Sequence, residues 1–141
     1  MTREYTPGDI SIACVDSNER FLMNTVTRLS NKGYDVDGFT SFNSNSENAF
    51  HPKAKGYDIL LLELEGYSDG SNGLELMEQV KKYHPTGVEM IILTGKPSFN
   101  MAMKSLGFGA SDYLCHPMHT DKIAAAIDKV YEEILIRKEK S

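Results

Sequence analysis

Short apolar runs separated by longer amphipathic stretches set the rhythm of this chain. The runs ISIACV (10–15), YDVDGF (34–39), DILLLEL (58–64), EMIILT (89–94) and SDYLC (111–115) predict five strands. Between them Leu22, Val26 and Leu29 recur at helical spacing, as do Leu76, Val80 and Tyr83, and Ile123, Ile127, Val130 and Ile134 line one face of a last helix. Gly33 and Pro85 are helix stops, and Thr120 with Asp121 opens the last helix. Segment 40–56, TSFNSNSENAFHPKAKG, is polar and carries Pro52, so it leaves room for a short second helix at most. The tail IRKEKS reads as frayed or linker-like. Strands and helices alternating in this way predict a (βα)5 domain with a parallel sheet, right-handed crossovers and helices on both faces.

The 141 residues fit a single domain, 1–141, with a core over about 9–136 that is large enough to fold without staples. Its net charge of −5, from 20 acids against 15 scattered bases, gives no concentrated basic footprint, which argues against nucleic acid as a partner. No apolar run approaches the roughly 18 residues of a membrane span and MTREYTPGD lacks a signal-peptide core, so a soluble, cytoplasmic protein with no membrane partner is expected. Cys14 and Cys115 sit in strand-like segments and read as reduced core residues.

The run Ile59 to Leu62 is apolar enough for a strand buried on both faces, yet it ends in a lone acid, Glu63. In open α/β sheets the carboxyl ends of the strands are where sites are built. Asp16 and Ser17 follow the first strand, Glu63 the third, Thr94 the fourth, and His116 and Pro117 the fifth, so all are expected on one rim.

The segments CVDSNE, YDILLLELEG, IILTGK and GASDYLCHP, in this order and spacing, resemble the four signature blocks of the receiver domain of two-component response regulators. The resemblance implies a flavodoxin-like three-layer sandwich with strand order 2-1-3-4-5. It also implies an atypical, pseudo-receiver-like member. A typical receiver has two acids after the first strand, a phosphoacceptor aspartate after the third, a threonine or serine ending the fourth, and a lysine before the proline after the fifth. Asp16 and Thr94 match that pattern, whereas Ser17 replaces the second acid, Glu63 the phosphoacceptor and His116 the lysine. The loop LEGYSDGSNG is longer than usual and lacks the Met-Pro pair. By the same resemblance Tyr113 is the aromatic switch, His116–Pro117 a cis step, and Ala102, Leu106, Lys122 and Lys129 belong to a partner or dimer face.

Phosphoryl transfer to a carboxylate depends on positioning and on neutralising dispersed charge with a metal and a cation. Ser17 removes a full charge from the ligand shell of Mg²⁺, and the extra methylene of Glu63 carries its carboxylate about 1.5 Å outward, where about 1 Å already costs roughly a hundredfold. Efficient phosphorylation is not expected. No cofactor is expected either; a weakened Mg²⁺ would be held by Asp16 and Glu63. Glu63 is left with two readings, an imitation of the phosphorylated aspartate that reaches Thr94 and His116 and favours the buried rotamer of Tyr113, or a solvated acid. Ser17 is expected to cap the first helix, and His116 to pair with Glu63. Cys115, with its thiol expected in the core, His116 and His119 fall short of a zinc site, and Met101 and Met103 read as packing.

The leading expectation is a signalling interaction module, without chemistry of its own, that meets a protein partner such as a histidine kinase or an output domain, or a second copy of itself. A working Mg²⁺-dependent phosphoacceptor is the alternative. A flavodoxin-like enzyme or cofactor binder is a third, disfavoured because VDSNERF contains no glycine and no G-x-S-x-G elbow is present.

Overall fold

The structure is a computed structural model; residues 6–53, 56–67, 70–115 and 120–140 are described. Five strands form a parallel sheet: β1 (Ser11–Val15), β2 (Asp35–Phe39), β5 (Ile59–Leu62), β6 (Glu89–Thr94) and β7 (Asp112–Cys115), in the order β2-β1-β5-β6-β7. Counting these five alone, the order is 2-1-3-4-5, with crossover helices α1 (Glu19–Asn31), α2 (Gly73–Tyr83) and α3 (Phe99–Gly107), and a last helix α4 (Thr120–Lys140) that follows β7. The predicted fold class is therefore the one observed.

β5 is central, and all four of its side chains are buried because parallel strands under helices on both faces have no wet side. Successive residues face opposite ways. Ile59 and Leu61 join Ile12, Cys14, Ile91 and Leu93 under α1 and α4, and Leu60 and Leu62 join Ala13, Val15, Met90 and Ile92 under α2. Ile123, Ile127, Val130 and Ile134 are buried on α4 as their spacing predicts.

Between β2 and β5 the described residues form no helix. Two short strands, β3 (Ser41–Phe42) and β4 (Ala49–Phe50), pair in parallel instead. The small polar side chains of this stretch compete for the backbone: Ser44 Oγ accepts from the Ser46 amide, Ser46 Oγ from the Asn48 amide, and Asn43 takes a left-handed φ of 56°. Phe42 and Phe50 anchor the ribbon in the core, so the short second helix of the (βα)5 expectation is replaced by apolar anchors and side-chain-capped turns.

Three further expectations are corrected. Cys115 is exposed rather than in the core, because it ends the edge strand β7, although both cysteines are free as expected. Met103 is exposed, and only Met101 packs inward. The tail is not frayed: α4 stays helical to Lys140, with Arg137 paired to Glu89 at 2.9 Å and Lys138 to Asp58 at 3.2 Å at the opposite end of the sheet from the strand-end acids.

Candidate functional site

Register builds the site. Val15 lies beside Leu62, so the next residues, Asp16 and Glu63, emerge together at the carboxyl edge, and Thr94 ends the neighbouring β6 opposite Cys115. The Asp16 amide donates to the Phe39 carbonyl at 2.9 Å and the Glu63 amide to the Val15 carbonyl at 3.0 Å, so sheet bonding carries both acids one residue past the assigned strands.

Asp16 is only 3 % exposed. Its Oδ1 accepts from the Asn18 amide at 2.8 Å, and Asn18 caps α1 by accepting from the Phe21 amide at 3.0 Å. The cap expected at Ser17 therefore falls one residue later, because the Asp16 carboxylate turns the chain before the helix begins. Burial pushes the Asp16 carboxyl up to about 6; the Asn18 amide pulls against this, and the charge of Glu63 adds to it.

Glu63 is half-buried and turned inward. Its Oε1 accepts from the amides of Leu64 at 3.0 Å and Glu65 at 3.4 Å, and Oε2 accepts from the Gly95 amide at 3.3 Å across the gap to β6. Burial raises its carboxyl above the ordinary range, and these amides together with the Thr94 hydroxyl hold it down in part. The carboxylate thus fills a small anion hole assembled from two loops. A cleft of about 190 Å³ lies against it, lined by Glu63, Glu65, Gly66, Gly95 and Lys96.

The loop after β6 is held by side chains at each of its amides. Gly95 donates to Glu63, Lys96 to the Thr94 Oγ1 at 3.0 Å, and Ser98 to the Tyr113 hydroxyl at 3.3 Å, while Pro97 has no amide to donate. Ser98 in turn caps α3 through the Met101 amide at 3.0 Å. Tyr113 is half-buried, its ring packed against the core face that also holds Met101 and Phe108.

Asp16, Ser17, Glu63 and Thr94 are thus brought to one rim, and Tyr113 is tied to the loop beside it. His116, Pro117 and His119 lie outside the described residues, as do the expected His116–Glu63 pair and cis step. On the expected partner face Ala102 is half-buried, Leu106 and Lys122 are exposed, and exposed Lys129 reaches Asp112 at 3.5 Å. Phe99, Met103 and Leu106 lie at i, i+4 and i+7 on α3, at 79 %, 54 % and 48 % exposure, and form an apolar stripe that sequence reasoning had only at Leu106.

Few oxygens at the rim are free to face Mg²⁺. Both Glu63 oxygens are turned onto amide donors and Asp16 Oδ1 onto Asn18, which leaves the Ser17 hydroxyl and one Asp16 oxygen; among the described residues no group of three acids, histidines or cysteines is placed to hold a metal. Mg²⁺ keeps several waters but needs one or two carboxylates free to face it, and carboxylates already turned onto amides fit that shell poorly. Sequence reasoning also missed Tyr67, a lone aromatic in a Gly/Ser-rich loop, which is buried with its hydroxyl on the Glu63 carbonyl at 2.7 Å. Its only signal was that an aromatic there needs a reason.

Comparison with known proteins agrees with this fold. The family model of the response regulator receiver domain matches residues 12–128. The chain is similar to the photosynthetic apparatus regulatory protein RegA of Rhodobacter capsulatus, at 28 % identity over 85 % of this chain and 62 % of RegA. It is also similar to the DNA-binding transcriptional regulator NtrC of Klebsiella pneumoniae, at 32 % identity over 64 % of this chain and 19 % of NtrC. It thus spans less than two thirds of either regulator. The crystal structure of a CheY-like receiver domain protein from Methanospirillum hungatei superposes with a TM-score of 0.74 at 21 % identity, covering 94 % of this chain and 98 % of that one. Among the described residues no helix is long and apolar enough to cross a membrane.

Proposed function

This chain belongs to the response regulator receiver domain family of two-component signalling, and we propose that it works there as a protein-interaction module whose phosphoacceptor position is held by Glu63 and is not phosphorylated. One observation carries the reading: the Glu63 carboxylate bridges the strand end of β5 to the Gly95 amide, at 3.3 Å. A carboxylate so placed supplies from within the chain the negative charge that a modification would otherwise bring. It pins the loop that leads through the Ser98 cap into α3, and the apolar stripe of α3 follows directly as the output surface. The partner class is a protein of the same signalling system, a histidine kinase or an output domain, with a second copy of this chain as the competing occupant. This reading calls on no metal: the described carboxylates are engaged by amide donors.

The solvated-acid reading is weakened by the inward turn of Glu63 and the donors it accepts. Glu63→Ala separates the two. Loss of a bridging acceptor is expected to move the amide resonances of Gly95, Lys96 and Ser98 together with the ring signals of Tyr113. Changes limited to Leu64 and Glu65 would mean that Glu63 only decorates its own loop, and the reading would fall.

A further inference from the structure

Tyr67 has no part in the reading above, yet it is built into the site from behind. It sits in the loop between β5 and α2, 7 % exposed. Its hydroxyl is directed at two main-chain carbonyls, that of Glu63 at 2.7 Å and that of Val15 at 3.3 Å, and so spans the ends of the two strands that deliver Glu63 and Asp16. Burial, and the nearby charges of Asp16 and Glu63, push its ionisation upward, so the group stays an O–H donor. The ring meets Phe42 of β3 edge-on, with centroids 5.0 Å apart at 84°. Phe42 lies on the β3–β4 ribbon, the part of the chain where the described residues have no helix.

Three features make this arrangement more than packing. The loop is closed on itself at Glu63: the carboxylate accepts from the next two amides, Gly66 turns the chain at a φ of 95°, and Tyr67 returns to the Glu63 carbonyl. The same carbonyl is crowded by the start of α2, where a Cβ on Gly73 would meet it at 2.8 Å, so its position is fixed from two sides. The bonds that depend on it are at the edge of the useful range, 3.3 Å to Gly95 and 3.4 Å to Glu65, where a displacement of a few tenths of an ångström breaks them.

We infer that Tyr67 is a positioning residue that couples the β3–β4 ribbon to the Glu63 carboxylate: its hydroxyl holds the Glu63 main chain where the side chain spans to Gly95, and its ring carries displacements of Phe42 to that point. The inference rests on the reading of Glu63 given above.

Amide exchange on the whole chain tests this with three variants. Tyr67→Phe keeps the ring and removes the hydroxyl; Phe42→Leu keeps the burial and removes the edge-on ring contact; Glu63→Ala removes the carboxylate itself. Tyr67→Phe is expected to speed exchange at Leu64 and Gly95 roughly fivefold, the worth of one net hydrogen bond, with the amides of Leu61 and Ile92 in the sheet unchanged. Phe42→Leu is expected to act on the same two amides to a smaller extent. Equal acceleration at all four sites in Tyr67→Phe would reduce Tyr67 to a general stability contact and overturn the inference. So would a Gly95 amide unmoved by Tyr67→Phe or by Phe42→Leu but exposed by Glu63→Ala, which would leave the reading of Glu63 standing alone. A Gly95 amide unmoved by Glu63→Ala would remove that reading and the inference with it.

Discussion

Replacing Asp16 by asparagine removes a buried charge while keeping the oxygen that accepts from the Asn18 amide at 2.8 Å. The folded protein holds the Asp16 proton up to about 6, against 3.8 for the same group exposed to water, mainly because the carboxyl is buried. The gap of roughly two units is worth about 3 kcal/mol at 1.36 kcal/mol per unit. The sign follows from proton counting. Below 3.8 both folded and unfolded chains are protonated here and the group costs nothing; between 3.8 and about 6 the folded chain binds the extra proton, so raising the pH destabilises it; above that the full cost of about 3 kcal/mol persists. Urea unfolding of wild type and Asp16→Asn from pH 4.5 to 7.5 isolates this group, because the other carboxyls titrate in both proteins. The variant is expected to gain on the wild type steadily across the window and to hold its gain above pH 7. Relief of Glu63, whose charge faces Asp16, adds in the same direction. A stability difference that stays flat from pH 4.5 to 7.5 would refute the argument.

Leu61→Ala, in the middle of β5 with no exposed surface, is expected to cost 2–5 kcal/mol in urea unfolding at pH 7 through the cavity it leaves. Arg137→Ala removes a partly exposed tie between α4 and Glu89 and is expected to lower global stability by about 1 kcal/mol or less, while amide exchange in the last two turns of α4 rises and becomes insensitive to salt. Phe99→Ser with Met103→Ser exchanges two largely exposed apolar side chains and is expected to leave the unfolding midpoint within about 0.5 kcal/mol of wild type while weakening binding to the partner, read by calorimetry against the cognate kinase or output domain.

The sheet was legible because a buried parallel strand writes itself as an unbroken apolar run; Ile59 to Leu62 needs no context to be read. The gathering of Asp16, Glu63 and Thr94 followed from strand order, since each closes a strand at the same edge. What escaped was set by partners distant in the chain. The ribbon in place of a second helix depends on Phe42 and Phe50 finding the core and on serine and asparagine side chains capping local amides, a competition that composition alone leaves undecided. Cys115 looked like a core residue because its segment is apolar, but an edge strand covered by fewer neighbours leaves its last side chain outside. The tail looked loose because it is short and rich in charge; Glu89 and Asp58 tie it down from the sheet. Tyr67 was invisible because its role is a hydroxyl on two carbonyls, which no spacing in the sequence announces.

The central claim is that Glu63 occupies its own anion hole and leaves no acceptor for a phosphoryl group. The intact mass of the chain after incubation with Mg²⁺ and a small phosphodonor tests it most directly, run beside a variant carrying Ser17→Asp, Glu63→Asp and His116→Lys. No adduct is expected on the wild type, and a phosphoryl adduct is expected on the variant. An adduct on the wild type would contradict it.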